Sequence, residues 1–375
     1  MQKVPKDPST LRQGYTTGAC ATAVTKAALL ALITGERQTE ATIHLPVGKD
    51  ATFKIENCDY SDCIASAETI KDAGDDPDAT HKALIISTVQ WLDEPGIVLD
   101  GGIGVGRVTK PGLAIAVGEA AINPVPRKMI HETVQQIIDE YGVSKGIKVV
   151  ISVPLGEEMA KKTLNGRLGI IGGISILGTR GTVVPFSSAA YKASIVQAIS
   201  VAKAGGCDHL VLTTGGRSER YAIAQYPELK EEAFIEMGDF VGFTLKHCKR
   251  LEIKKVSLVG MMGKFSKVAQ GVMMVHSKSA PINFHFLANV AKNAGASEAV
   301  IEEVEQANTA SQVGDIMLRE NNKTFFDLLC EACCFSSLRE VKGEMELSTT
   351  IYSMKGEVLG RVDGIDTINE TNWDK

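Results

Sequence analysis

The run His209-Leu210-Val211-Leu212-Thr213-Thr214-Gly215-Gly216-Arg217 decides the fold class. A short, mostly apolar strand ends in a glycine pair, the place where open α/β sheets turn the chain around a ligand. The pattern returns at 255–259, a strand ending in Gly260-Met261-Met262-Gly263-Lys264. Between the two, Phe234, Met237, Val241 and Leu245 fall on one helical face. Ahead of them, 187–204 reads as a helix with Tyr191, Ile195, Ile199 and Ala202 inward, closed by Gly205-Gly206. Alternation of strand, helix and strand predicts an α/β domain with a mostly parallel, Rossmann-like sheet. A buried-type strand at 147–153 precedes it, as does an apolar run at 168–177 broken by Gly172-Gly173.

Upstream the rhythm differs. Thr16 or Thr17 can cap a first helix striped by Val24, Ala27, Ala28 and Ala31, with Gly35 placed to end it. Strand-like runs follow at 41–45, 51–55 and 83–89, and Pro126 opens a second helix bearing Ile130, Val134, Ile137 and Tyr141 up to Gly142. Grouped strands with few helices read as α+β. The expected organisation is therefore two domains, α+β over 1–145 and α/β over 146–310, followed by a C-terminal helix and hairpin extension over 311–375. In that tail, 325–334 is helical and 346–362 is a hairpin turning at Lys355-Gly356.

The 375 residues suit two domains, and 44% apolar with 23% charged side chains is globular composition. Forty basic against forty-five acidic groups give −5, which excludes a global basic field for wrapping nucleic acid. No run of about 18 uninterrupted apolar residues is present, so no membrane-spanning helix is expected. The apolar 27–33 segment leads into Gly35-Glu36-Arg37 rather than a small-residue cleavage site, which favours the cytoplasm. Eight irregularly spaced cysteines fit that compartment.

Five motifs are candidates for chemistry. Gly102-Ile103-Gly104-Val105-Gly106 looks like a nucleotide loop, but Pro111 and β-branched neighbours argue against the helix such a loop must open. An extended glycine segment that lets amides approach a large ligand, with Arg107 and Lys110 for its anionic groups, is the better reading. Thr16, Thr17 and Gly18 sit at a helix start, where a carboxylate or phosphate is at home and an ordinary cap is equally at home. Asp75, Asp76, Asp78 and His81 can serve proton transfer or form a solvated turn around Pro77; their spacing is not that of a calcium loop. Gly263-Lys264 is no P-loop, because the preceding glycine is three residues away and Phe265 replaces the hydroxyl residue. Cys330, Cys333 and Cys334 share a helical face without further ligands, which reads as core rather than zinc.

Five long motifs, in order, resemble the CbiD family: LRQGYTTGACATA from Leu11, GDDPDATH from Gly74 and GGIGVGRVTKPGLAIAVGEAAINPVPR from Gly101 are the first three. RLGIIGGISILGTRGTVVPFS from Arg167 and GMMGKFSKVAQGVMMVHS from Gly260 complete the set. The resemblance implies methyl transfer from S-adenosylmethionine to ring carbon 1 of cobalt-precorrin-5B in the anaerobic cobalamin pathway. It implies no protein-bound metal, since the cobalt arrives within the substrate. The carboxylate-edged ring then calls for donors, offered by Thr16, Thr17, Gly18, Arg107, Lys110, Arg127 and Arg167. The methyl donor suits the glycine-rich strand ends at Gly215, Gly216, Gly260, Gly263 and Lys264. Asp76 and His81 are the candidates for adjusting ring protonation. The expected partners are the small-molecule tetrapyrrole and, transiently, neighbouring pathway enzymes, with no nucleic acid and no membrane. Two rival classes are a nicotinamide-dependent oxidoreductase, which lacks the acidic residue about 20 positions beyond a glycine fingerprint, and a non-catalytic tetrapyrrole carrier.

Overall fold

The computed structural model describes residues 10–276, 278–343 and 345–367, and the chain divides into two units after Ser188. Ser277, the last residue of the fifth motif, lies outside the described residues.

The first unit is built on a five-stranded sheet in the order Asn57–Tyr60, Ile64–Ile70, Leu84–Leu92, Gly146–Ser152, Ile97–Gly101. All neighbours run antiparallel except the last pair, which is parallel. Alternation sets the inner face: Ala65, Ala67 and Thr69 are buried, and continuing the period by two reaches Lys71, also buried. The helix Thr17–Thr34 lies against the strands 64–70 and 84–92 and against the helix Pro124–Tyr141. Small residues on nearly every side let it sit deep in the core, where Thr25 Oγ1 meets Ser87 Oγ at 2.9 Å. By length and composition this helix is apolar enough to cross a membrane, contrary to expectation, yet 78% of it is buried inside the protein. Its apolarity is that of a core helix.

The division expected at 145/146 falls instead at Ser188, because the strand Gly146–Ser152 is paired on both sides within the first sheet. A buried-type strand reads the same whichever sheet it joins, so its sequence gave no sign of this.

The second unit holds a mixed five-stranded sheet in the order Phe234–Glu236, His209–Thr213, Lys255–Met261, Glu346–Tyr352, Val358–Ile365. The first three pairings are parallel and the last is antiparallel. The α/β class stands, with an antiparallel edge. Two expectations change. Phe234 belongs to an edge strand rather than a helix, and the helix after 209–213 is Gly216–Gln225, whose buried residues Ser218 and Ala222 are too small to make an apolar stripe. The 346–365 hairpin is no appendage either, since Glu346–Tyr352 pairs with Lys255–Met261 inside the sheet.

The helix Lys323–Val341 packs across the strands 346–352 and 358–365. Its Cys333 donates to the Phe265 carbonyl at 3.3 Å and Cys334 shares a hydrogen bond with Thr349 at 3.2 Å. Burial pushes all three thiols of this helix up, that of Cys334 to about 12. They are core residues. No group of three His, Cys, Asp or Glu able to hold a metal occurs among the described residues.

Candidate active site

In the first unit the helix start is stitched to a neighbouring segment. Thr16 caps the helix, accepting from the Ala19 amide at 3.2 Å and donating to the Gly181 carbonyl at 3.3 Å. Thr17 Oγ1 accepts from the Leu177 amide at 2.9 Å and lies 3.3 and 3.2 Å from the Ser175 and Leu177 carbonyls. At Gly18 a Cβ would come within 2.5 Å of the Pro126 ring. The hydroxyls expected to bind substrate are thus committed to the fold, and Gly18 is glycine for close packing. Thr16 and Thr17 nonetheless line a cavity of about 150 Å³, together with Lys71, Asp78, Thr80 and Asn165.

Lys71 is the residue that sequence reading missed. Its side chain is 1% exposed and its Nζ lies 2.6 Å from Asp78 Oδ2. The other carboxylate oxygen of Asp78 accepts from the Thr80 amide at 2.7 Å and the Thr80 hydroxyl at 2.6 Å. Burial alone would push the Asp78 carboxyl up; the Lys71 charge and these hydrogen bonds outweigh it and hold the carboxyl below its ordinary value. The signal was available as the inward period 65, 67, 69, 71.

The other residues of the acidic loop have partners within the protein. Asp72 is held at about 2, first by its hydrogen bond to the Arg12 guanidinium and then by the Gly74 amide. Asp76 accepts from the Phe186 amide at 2.9 Å, and His81 Nδ1 accepts from the Ala73 amide at 3.1 Å. A neutral His81 therefore carries its proton on Nε2. Neither Asp76 nor His81 lines the cavity; Asp78 does.

The glycine segment is extended, as expected, but its glycines face protein rather than ligand. A Cβ on Gly104 would lie 1.8 Å from the Val153 carbonyl oxygen, and one on Gly106 would lie 2.4 Å from Ile170 Cγ2. Arg107 is paired with Asp100 at 2.8 Å. Arg127 lies 3.4 Å from Glu119, and Lys110 Nζ is 3.5 Å from the Arg167 carbonyl. Three of the four basic side chains expected to meet carboxylates, Arg107, Lys110 and Arg127, thus lie against acid or carbonyl groups of the protein itself.

In the second unit the strand 209–213 sends its chain to one side, towards 234–236. The adjacent parallel strand 255–261 leads to the other side, towards 346–352. The crevice outside their carboxyl ends is a topological switch point, where open α/β sheets bind ligands. Gly215 and Gly216 start the helix after the first strand, and Met262 and Gly263 start the helix Met262–Ala269 after the second. A Cβ at Gly216 or Gly263 would meet nothing within 4 Å. Lys264 Nζ donates to the Thr214 carbonyl at 3.0 Å and lies 3.0 Å from Asp239 Oδ1, tying three strand ends together. Glu236 ends the third strand, with Oε1 4.0 Å from where a Gly215 Cβ would be; sequence reading passed over it because 234–237 looked helical.

Gly260 does not join this group. A Cβ there would lie 1.9 Å from the Phe265 ring, so its glycine serves strand–helix packing. Gly260→Ala is expected to lower stability by about 1–3 kcal/mol through overpacking. Thermal denaturation should show the loss, while a donor-affinity loss without any stability change would contradict this assignment.

The chain is similar to known proteins. The CbiD family model matches residues 4–185, and the model described as CbiD, C-terminal domain, matches 274–363. A Priestia megaterium protein named cobalt-precorrin-5B C(1)-methyltransferase is 68% identical over 361 residues, 96% of this chain and 98% of its own length. The Leptospira borgpetersenii (strain JB197) protein of the same name is 43% identical over 94% of this chain and 95% of its own. A crystal structure of the cobalamin biosynthesis protein cbiD from Archaeoglobus fulgidus is similar at 24% identity and a TM-score of 0.38, covering 83% of this chain and 85% of that one. With both family models matched and identity of this level running nearly end to end, the chain belongs to the CbiD family.

Proposed function

We propose that this protein methylates carbon 1 of cobalt-precorrin-5B with S-adenosylmethionine, giving cobalt-precorrin-6A in anaerobic cobalamin biosynthesis. The observation that carries the reading is the 68% identity over 96% of the chain to a relative bearing that enzyme's name.

The switch point fits the donor. Two open glycine positions leave room for a nucleoside and an amino-acid tail against helix N-termini, and Glu236 offers a carboxylate beside Gly215 for ribose hydroxyls. The bound sulfonium supplies an already activated methyl group. In the transfer the sulfur–methyl bond breaks, a bond from the methyl to ring carbon 1 forms, and S-adenosylhomocysteine leaves; a proton departs from the macrocycle to keep charge in balance. No protein nucleophile is required. The work of the chain is alignment, with reacting atoms held about 3–3.5 Å apart. Lys264 keeps the strand ends in place for that purpose. Arg107, Lys110, Arg127 and Arg167 are the first unit's side chains for the substrate rim, while the Thr16 and Thr17 hydroxyls hold the helix start in place. Asp76 and His81, held by backbone amides, shape the acidic loop and are the groups there that could adjust ring protonation.

Gly263→Leu tests the donor assignment. Nothing stands within 4 Å of the added Cβ, so the fold is expected to keep its melting temperature. The isobutyl group would fill the space assigned to the donor, and S-adenosylhomocysteine affinity measured by calorimetry should fall at least about tenfold, more than 1.4 kcal/mol. Unchanged affinity in a folded variant would remove the donor from this crevice.

A further inference from the structure

We propose that the first unit's cavity is a subsite for one short carboxylate arm of the tetrapyrrole, received by the ammonium of Lys71. The proposed function supplies the identity of the ligand; the cavity supplies its chemistry.

Size sets the first limit. About 150 Å³ holds a benzene-sized group, hence a two- or three-carbon acid, and excludes the macrocycle itself. Hydrogen bonding sets the second. A buried ammonium has three N–H groups to satisfy, and Lys71 gives one to Asp78 with no other acceptor among the described residues. The remaining walls have little left to donate: Thr17 is bonded to the 175–177 backbone, and Asn165 Nδ2 donates to the Gly173 carbonyl at 3.1 Å. The two spare N–H groups of Lys71 are therefore the cavity's principal donors.

Charge and surface set the third limit. Asp78 neutralises Lys71, leaving the positive end of an 18-residue helix that has no acidic residue in its first turn. The balance favours an anion over a second cation. Ile174, Leu177 and Val183 form an apolar side suited to methylenes, which water alone would not match.

The test titrates carboxyl-labelled propionate into the full chain and follows the label by NMR. Wild type should broaden the resonance saturably, with cobalt-precorrin-5B competing. The paired change Lys71→Gln with Asp78→Asn keeps a neutral hydrogen-bonded couple and should abolish the effect. Val183→Phe fills the cavity, leaves the ion pair in place, and should abolish it too. In that variant KM for cobalt-precorrin-5B should rise roughly 10- to 100-fold, the worth of a hydrogen bond to a charged group, while S-adenosylhomocysteine binding stays unchanged. No broadening in wild type, meaning a cavity that holds only water, or equal broadening in the variants would overturn the subsite. If wild type binds propionate through Lys71 but transfers no methyl to cobalt-precorrin-5B, the subsite stands and the proposed function falls. If it transfers the methyl while propionate ignores Lys71, the subsite alone falls.

Discussion

Lys71→Met should cost the first unit about 3–5 kcal/mol at neutral pH, because it strands the partly buried Asp78 carboxylate without its cation. The pH dependence should also change sign. In the wild type the Asp78 carboxyl lies below its ordinary value, so its contribution is complete above the unfolded value of about 3.9 and is lost as pH falls through the folded one. With the ammonium gone, burial raises that carboxyl above about 3.9, so the folded state binds the proton more readily than the unfolded state. The variant should then gain stability as the pH is lowered from about 7 to about 5, a window in which the wild-type pair contributes no such gain. Urea denaturation at the two values measures both curves. Parallel curves would mean that the ion pair is not what holds this loop.

Gly104→Ala should be the most damaging single-methyl change in the glycine segment. Gly104 has φ +72°, a left-handed value that alone makes alanine strained by about 1–3 kcal/mol. The added carbon would also sit 1.8 Å from the Val153 carbonyl oxygen. That neighbour is backbone just past the strand Gly146–Ser152 and cannot rotate away as a side chain can, so overpacking adds about another 1–3 kcal/mol. Gly156 and Gly173 in turn approach the carbonyl of Gly104 itself, each with a Cβ position within 2.1 Å of Gly104 O, so three segments meet here. Loss of soluble protein or a sharply lowered melting temperature is the expected result. A stable Gly104→Ala with impaired substrate binding would return these glycines to the ligand.

These glycines mark what the sequence could and could not convey. Local chemistry was legible: Thr16 caps its helix, Gly35 and Gly142 end theirs in left-handed conformations, and the strand ends at Gly216 and Gly263 are open. The switch point was half legible, since glycines after two strands indicated ligand-side ends, but only pairing shows that those strands are neighbours. The motif Gly102 to Gly106 was misread because a glycine kept free of side chains for a passing backbone looks the same as one kept free for a ligand. Lys71 was overlooked for the opposite reason. Lysine is seldom fully buried, and only the continued inward period of its strand contradicted that prior. Long-range pairing explains the misplaced boundary, since nothing local to Gly146–Ser152 says that its partners are 84–92 and 97–101.

The most direct test of the account incubates the full chain with cobalt-precorrin-5B and S-adenosylmethionine carrying a carbon-labelled methyl group. The pigment is then analysed by mass spectrometry and NMR. The account predicts the gain of one labelled methyl per macrocycle, bonded to ring carbon 1, with one S-adenosylhomocysteine formed for each. A pigment of unchanged mass, or a label on any other ring carbon, would contradict it.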